Sequence, residues 1–308
     1  MTSVPGVAPE RPASNRAAQW PAAAALMAPS GFLLIVFLVL PFLMAFGLSF
    51  TNQRLIPRPV PTVFVGLANY LDILDDADFW RAFWNTARFA LVVVPVQTAL
   101  ALALAVLVNE PLRGRAVFRT IYFLPVVLSS VVITVMWGSL LSAPSGVLNG
   151  VVRIASAGTL GPFDWLTRPE LAMPVIIVIS IWSHVGFQMI VYLAGLQGIP
   201  SDLYEAARID GATPWQRFRY VTMPALRNTH VFVLVVTTIS AFKLFTQVHL
   251  LTKGGPLGST NTLVRYIYSA GFSEMKAGYA SAGAVIFLMI VLAISLAQRR
   301  VLARGEPG

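Results

Sequence analysis

Six windows of the chain, at about 26–50, 89–108, 121–141, 171–196, 229–251 and 277–297, are apolar and free of formal charge apart from one lysine. An α-helix rises 1.5 Å per residue, so about 20 residues cross a hydrocarbon core, and every window reaches that length. Helices that are apolar on all faces belong in lipid, not on the edge of a soluble core. The pattern predicts an all-α polytopic membrane protein with six transmembrane helices. The exceptional charge is Lys243, in the fifth window.

The polar intervals are short. Residues 1–25 hold Pro5, Gly6, Pro9 and Pro12 ahead of an alanine-rich patch, and read as a disordered tail. Residues 51–87 contain an amphipathic stretch, Leu67, Tyr70, Leu71 and Leu74 followed by Phe79, Trp80, Phe83 and Trp84. Its aromatics, with Asp72, Asp75, Asp76 and Asp78 beside them, predict a helix lying at the outer lipid boundary. Residues 299–308 form a second tail.

Composition agrees with this reading. The chain has 308 residues, 56% of them hydrophobic and 11% charged, with a mean hydropathy of +0.73. A soluble protein of that make-up lacks the polar groups to cover its surface. There is no cysteine, which excludes disulfides, thiolate metal sites and cysteine nucleophiles. His184, His230 and His249 are scattered and give no metal-ligand spacing.

A net charge of +9 would suggest nucleic acid in a soluble protein, but its distribution gives a different reason. With both termini placed inside, twelve Lys and Arg fall on the inner segments and nine on the outer ones. The positive-inside rule then sets the termini in the cytoplasm and accounts for the basic balance without a nucleic-acid partner. Arg11 and Arg16 precede the first apolar run as they would in a signal peptide. The run is too long for one, however, and its small residues Ala22–Ala25 come before it, so a retained anchor is expected.

One polar loop, at 200–224 between the fourth and fifth windows, is punctuated with unusual care. Pro200 ends the fourth span, and Asp202 with Glu205 three residues on reads as an N-cap with its reciprocal partner. Gly211 ends that helix by accepting a left-handed conformation. Thr213, Pro214 and Gln216 open a second helix, and Pro224 is expected to close it. Ala206 and Ala207 allow close approach of another surface, and Glu205 and Asp210 offer carboxylates to arginine. The plain alternative is an amphipathic loop that seals the membrane edge. The flanking spans and the acidic first helix argue against a DNA-reading helix–turn–helix.

Glu205-Ala206-Ala207, then Gly211, then Val221, Met223 and Pro224, resembles the EAA loop of bacterial ABC importer permeases. That family usually has Ile and Leu where this chain has Val221 and Met223. Residues 196–204 resemble the carbohydrate-uptake branch, as do Phe64–Tyr70, Asn85-Thr86 and Leu251–Pro256. The resemblance implies the type I ABC importer permease fold, with a core at 88–298, in the cytoplasmic (inner) membrane of a bacterium. It implies that Glu205, Ala206, Ala207, Asp210, Gly211 and Pro224 form a cytoplasmic coupling helix and its surround. The partners it implies are a second homologous permease, a cytoplasmic ATPase dimer that binds ATP and Mg, and an extracytoplasmic binding protein delivering a sugar or polyol. This chain has no Gly-x-x-x-x-Gly-Lys-[Ser/Thr] phosphate loop, so ATP binding by that route falls to a partner.

Candidates for the path through the membrane come from two windows. Lys243 either faces the bundle or snorkels to an interface, and family likeness adds Thr246 and Gln247 as path residues. Trp182, His184, Phe187 and Gln188 cluster in the fourth window, where the family contributes aromatics to a sugar site. Packing is the competing reading for the aromatics, and an interhelical hydrogen bond for His184. Lys243 with His184 also leaves open an anionic cargo, glycerol-3-phosphate or a glycerol phosphodiester. Of other classes, an ion-coupled secondary transporter would want membrane carboxylates, and the six windows contain no Asp or Glu. A membrane enzyme would want a nucleophile–base or metal constellation, which the sequence does not offer.

Overall fold

The computed structural model describes residues 16–56, 61–110 and 114–303, and among these the chain is helical, with one isolated antiparallel bridge, Thr51 to Phe64. Helix α1 (Arg16–Leu34) passes through a π-helical turn, Ile35–Val39, into α2 (Leu40–Leu48). It therefore begins inside the segment read as a tail, because Ala17, Ala18 and Ala22–Ala25 are strong helix formers; residues 1–15 lie outside the described residues.

Next come α3 (Ala68–Asp75) and α4 (Ala77–Asn109). The expected boundary helix is corrected here: Phe79, Trp80, Phe83 and Trp84 belong to the first turns of α4, and only α3 stands apart. The cause is local. Asp76 is extended (φ −80°, ψ 115°) and its carboxylate accepts from the backbone N–H of Asp78, so it caps a new helix.

The third window is not one helix. Helices α5 (Arg115–Val127) and α6 (Ser130–Leu140) meet at 99°, with Leu128 and Ser129 extended after Pro125. A short α7 (Val147–Ala155) precedes α8 (Pro169–Gln197), which matches the fourth window. The polar loop folds as α9 (Ser201–Ile209), α10 (Pro214–Arg217), a π turn (Phe218–Thr222) and α11 (Met223–Ala225). Helix α12 (Arg227–Phe242) leaves at 68° to that unit. The fifth window is thus broken: Lys243 caps the end of α12, and helical structure returns before a π turn at Val248–Thr252. After it come α13 (Leu263–Tyr268), a π turn (Ser269–Ser273) and α14 (Ala277–Ala303), which runs into the segment read as the second tail. Among the described residues four helices are long and apolar enough to be single spans, and counting each bent pair as one span brings the total to six.

Helices α4 and α8 pack side by side, and three clusters stacked along α4, two of them shared with α8, give the molecule its depth. At the hairpin end, Ala101, Ala105 and Val108 pack on Met189, Tyr192, Leu196 and Leu226. In the middle, Phe89 and Val93 meet Ile176, Phe242 and Val248. At the far end, Ile73, Phe79 and Ala82 meet Leu263, Tyr266 and Ala282. By contrast, the most apolar window of the first span buries no residue, and its surface suits hydrocarbon.

Two close approaches make this packing possible. A Cβ at Gly186 of α8 would lie 2.0 Å from the Tyr122 carbonyl oxygen of α5, so these helices touch backbone to backbone. Asn85 Nδ2 of α4 donates to the carbonyls of Gly258 (2.8 Å) and Asn261 (3.0 Å), and Thr86 Oγ1 accepts from Leu263 N–H (3.0 Å). These two α4 side chains take the place of a helix ladder for the irregular loop after the fifth window. Gly186→Ala should force α5 away from α8 at a cost on the order of 1–3 kcal/mol. A thermal unfolding midpoint of the purified protein that stays at the wild-type value would contradict this contact.

A polar hairpin and a central cavity

The hairpin forms because its end signals are local. Gly211 sits at φ +77°, donates to the Arg208 carbonyl (3.0 Å), and is followed by Ala212 N–H donating to the Ala207 carbonyl (2.9 Å). That pair of bonds closes α9 in a Schellman turn. Thr213 Oγ1 accepts from Gln216 N–H (3.3 Å) and Gln216 Oε1 accepts from Thr213 N–H (2.7 Å), a complete capping box with Pro214 first in the helix.

Two expectations for this loop are corrected. Asp202 is not a cap: Pro200, extended at ψ 133°, takes that place, α9 starts at Ser201, and Asp202 lies in the first turn with its charge at the positive helix end. Nor does Pro224 close the second helix, which runs on to Ala225 and turns at Leu226. The π turn ahead of it resets the bonding pattern, so a residue without N–H is tolerated.

Glu205, Ala206 and Asp210 are exposed, Ala207 is half-buried, and Ile209 is 87% exposed at the tip. The hairpin is nonetheless tied to the bundle. Tyr204 OH and Thr222 Oγ1 are 2.9 Å apart, joining α9 to the π turn. His230 Nδ1 lies 2.7 Å from Tyr192 OH of α8, and its Nε2 lies 3.4 Å from Met223 Sδ. Leu226 is fully buried in the hairpin-end cluster. Sequence reasoning missed Tyr192 and His230; their only signal was polarity inside apolar windows.

At mid-depth a cavity of about 170 Å³ opens between α4, α8 and the broken fifth window. Four residues expected in the path line it: His184, Lys243, Thr246 and Gln247. Unforeseen polar lining comes from Gln97, Ser130, Ser180, Thr237 and Ser240. Three other candidates lie elsewhere. Trp182 packs edge-on against Trp137 (5.6 Å between ring centres), Phe187 is exposed away from the cavity, and Gln188 is buried behind it, donating to Thr237 Oγ1 (3.2 Å). His184 Nδ1 is bonded within its own helix to the Ser180 carbonyl (2.9 Å), not across helices. Among the described residues lining the cavity, Lys243 is the one formal charge and no carboxylate is present. Hydroxyls and amides in that proportion suit a ligand rich in hydroxyl groups.

The end opposite the hairpin holds a cavity of about 1050 Å³, bordered by Asp72, Asp76, Arg265, Tyr266, Lys276 and Tyr279 among others. Asp76 organises it. Tyr266 OH donates to Asp76 Oδ2 at 2.5 Å, Tyr279 OH to the same oxygen at 3.2 Å, and the two phenols are 2.7 Å apart. One carboxylate thus joins α4, α13 and α14.

The chain belongs to the family of binding-protein-dependent transport system inner membrane components, whose model matches residues 97–305. It is similar to the lactose transport system permease protein LacF of Rhizobium radiobacter, 36% identical over 277 residues that cover 88% of this chain and 91% of the relative. It is similar also to the trehalose/maltose transport system permease protein MalF of Thermococcus litoralis, 32% identical over 267 residues, 87% and 88% of the two chains. A solved bacterial ABC transporter involved in the import of the acidic polysaccharide alginate superposes with a TM-score of 0.79 at 27% identity, covering 94% of this chain and 97% of that one. This is a type I ABC importer permease, a membrane transport subunit and not an enzyme.

Burial pushes the Asp76 carboxyl up, but hydrogen bonds from Tyr266, Asp78 N–H, Tyr279 and Phe79 N–H outweigh it and hold the group below its ordinary value of 3.8. A carboxyl lowered on folding stabilises above its unfolded value and loses that stabilisation as pH falls through the folded one. Asp76→Asn should therefore lower stability at pH 7 by about 1 kcal/mol, allowing for partial solvent screening. The gap to wild type should shrink below about pH 4. A gap that is constant between pH 7 and pH 3 would contradict the charge-based role.

Proposed function

We propose that this subunit forms half of the translocation path for a sugar or polyol, with Glu205, Ala206, Ala207, Asp210, Gly211 and Pro224 receiving the ATP-driven stroke. The carrying observation is the α9 hairpin. Glu205, Ala206 and Asp210 are exposed on it, yet it is braced internally by Tyr204–Thr222 and tied to the bundle by buried Leu226 and by Met223 against His230 of α12, which in turn meets Tyr192 of α8. A surface so held can be pushed from outside and will move the spans that carry the cavity. A cytoplasmic ATPase dimer binding ATP and Mg²⁺ is the partner that pushes. The second half of the path comes from a homologous permease, and an extracytoplasmic binding protein delivers the cargo.

Relatives named for lactose and for trehalose/maltose support the sugar reading over glycerol-3-phosphate or a glycerol phosphodiester. A neighbouring structure at 26% identity is an alginate transporter in complex with an alginate pentasaccharide-bound periplasmic protein, which supports the binding-protein partner. The positive-inside balance supports cytoplasmic termini and a cytoplasmic hairpin. His184, Lys243, Thr246 and Gln247 would meet the cargo directly, with Gln188 orienting Thr237. Ion coupling finds no support in a cavity lined by no carboxylate among the described residues.

Glu205→Lys reverses a charge on the exposed face of α9 and should reduce uptake by the reconstituted importer at least tenfold, because a like-charge contact across a docking surface costs several kcal/mol. Insertion of the chain into the membrane should be unchanged. Wild-type uptake by that variant would remove the hairpin from the coupling role.

A further inference from the structure

A third cavity, of about 340 Å³, lies at the end opposite the hairpin, where the first turns of α4 meet the loop after the fifth window. Its charged side chains are Arg81, Lys253, Arg265 and Asp78, three cations against one carboxylate. That carboxylate is already taken, since Asp78 Oδ1 lies 3.0 Å from Arg81 Nη1. Lys253 is exposed, and neither it nor Arg265 has a carboxylate within ion-pair distance among the described residues. Arg265 Nη1 donates to Asn261 Oδ1 (3.1 Å), and its Nε is buried with no hydrogen-bond partner. Burial pushes this guanidinium below its ordinary value of 12.5, and no neighbouring anion offsets the cost.

The loop that carries these cations is held in a costly shape. A Cβ at Gly254 would lie 2.9 Å from Arg265 Cζ, and one at Gly258 would lie 3.2 Å from Arg81 Nη1, so both guanidinium groups rest on loop backbone. Gly254 and Gly258 have φ +83° and +76°, and two residues with side chains share that left-handed region, Lys253 (+49°) and Leu257 (+51°). Such strain persists only where the surroundings over-determine it, and it gathers at ligand clamps and switches. Here the surroundings do so. The Thr252 and Thr260 hydroxyls are 2.7 Å apart, Thr260 Oγ1 donates to the Gly255 carbonyl (2.6 Å), and Asn85 holds Gly258 and Asn261. Leu257, between the lining residues Gly255 and Gly258, is 88% exposed, an apolar side chain left without cover.

We propose that this cavity is a docking socket for a carboxylate side chain of the extracytoplasmic binding protein, seated between Lys253 and Arg265 and covering Leu257 in the same contact. The proposal rests on the binding-protein reading above. Charge selects the chemistry. A carboxylate accepts charge-assisted bonds from guanidinium and ammonium N–H groups at once, and it neutralises the two cations that this chain leaves unpaired. Continuity selects the source. Asp78, Asn261 and Arg265 also border the large outer cavity, so the socket opens beside a polar chamber and not beside hydrocarbon. An apolar contact next to charged groups is the usual make-up of a protein interface. A binding protein anchored there stands over the outer cavity, where its cargo has to enter.

The test titrates labelled binding protein onto the importer, this chain with its partner permease and ATPase, in nanodiscs of neutral phosphatidylcholine. Lys253→Glu should raise the dissociation constant about tenfold at low salt, and Arg265→Gln should raise it severalfold. Asp78→Asn frees Arg81 and should tighten binding about threefold, a gain that misfolding does not imitate. These differences should shrink as NaCl rises from about 20 mM to about 500 mM. Wild-type affinity in both Lys253→Glu and Asp78→Asn overturns the socket, as does a Lys253→Glu defect that salt leaves unchanged. Loss of the partner permease from the purified Lys253→Glu complex assigns the site to the subunit interface and overturns it too. A defect that appears only with phosphatidylglycerol in the nanodisc marks a lipid site, with the same consequence. If Arg265→Gln does not assemble, the exposed side chains of Lys253 and Asp78 decide. Failure of the wild type to bind any binding protein overturns the partner reading itself, and the socket with it.

Discussion

Inside a bilayer there is no water to satisfy a backbone carbonyl or N–H, so every helix break must be paired by protein. This chain breaks its third and fifth apolar windows at mid-depth, and the rest of the architecture follows from how those breaks are covered. Thr262 Oγ1 donates to the Leu244 carbonyl at 2.8 Å, in a fully buried position just past Lys243. Asn85 and Thr86 of α4 do the same for the loop at Gly258, Asn261 and Leu263. A transport subunit gains from this: the unwound segment is where polar groups can face inward, and the central cavity opens beside it.

The three stacked clusters along α4 then divide the labour. The hairpin end is held by Tyr192, His230 and Leu226, the middle carries the polar cavity, and the far end is drawn together by Asp76 with two tyrosines. Because α4 passes through all three levels and α8 through the two nearer the hairpin, a push on α9 would reach the cavity through packed helices rather than a flexible connection. The close contact at Gly186 extends that unit to α5. The first span stands outside it, apolar and unburied.

The legible parts of this structure were those governed by neighbours in sequence. Gly211 and the Thr213–Gln216 box use residues within one turn, and the structure places them as their spacing predicts. Asp202 was misread because Pro200, two residues earlier, competes for the cap and wins by its fixed φ. The split at Lys243 was invisible for a different reason. The residues that stabilise it, Thr262 on one side and α4 on the other, are distant in sequence, while the window itself is apolar enough to read as one helix. The same limit applies to the cavity: Gln97, Ser180 and Thr237 are each an unremarkable polar residue in an apolar run until three helices bring them together. Family likeness supplied the role proposed for the hairpin, and geometry supplied its attachment.

The central claim is that α9 is the surface on which a cytoplasmic ATPase acts. The chain contains no cysteine, so single cysteines give a clean background for cross-linking in the complete importer. A short photoactivated cross-linker on Ala206→Cys should capture the ATPase subunit, whereas the same reagent on Leu71→Cys, exposed at the opposite end, should not. An ATPase adduct missing from Ala206→Cys, or equally strong from Leu71→Cys, would contradict the account.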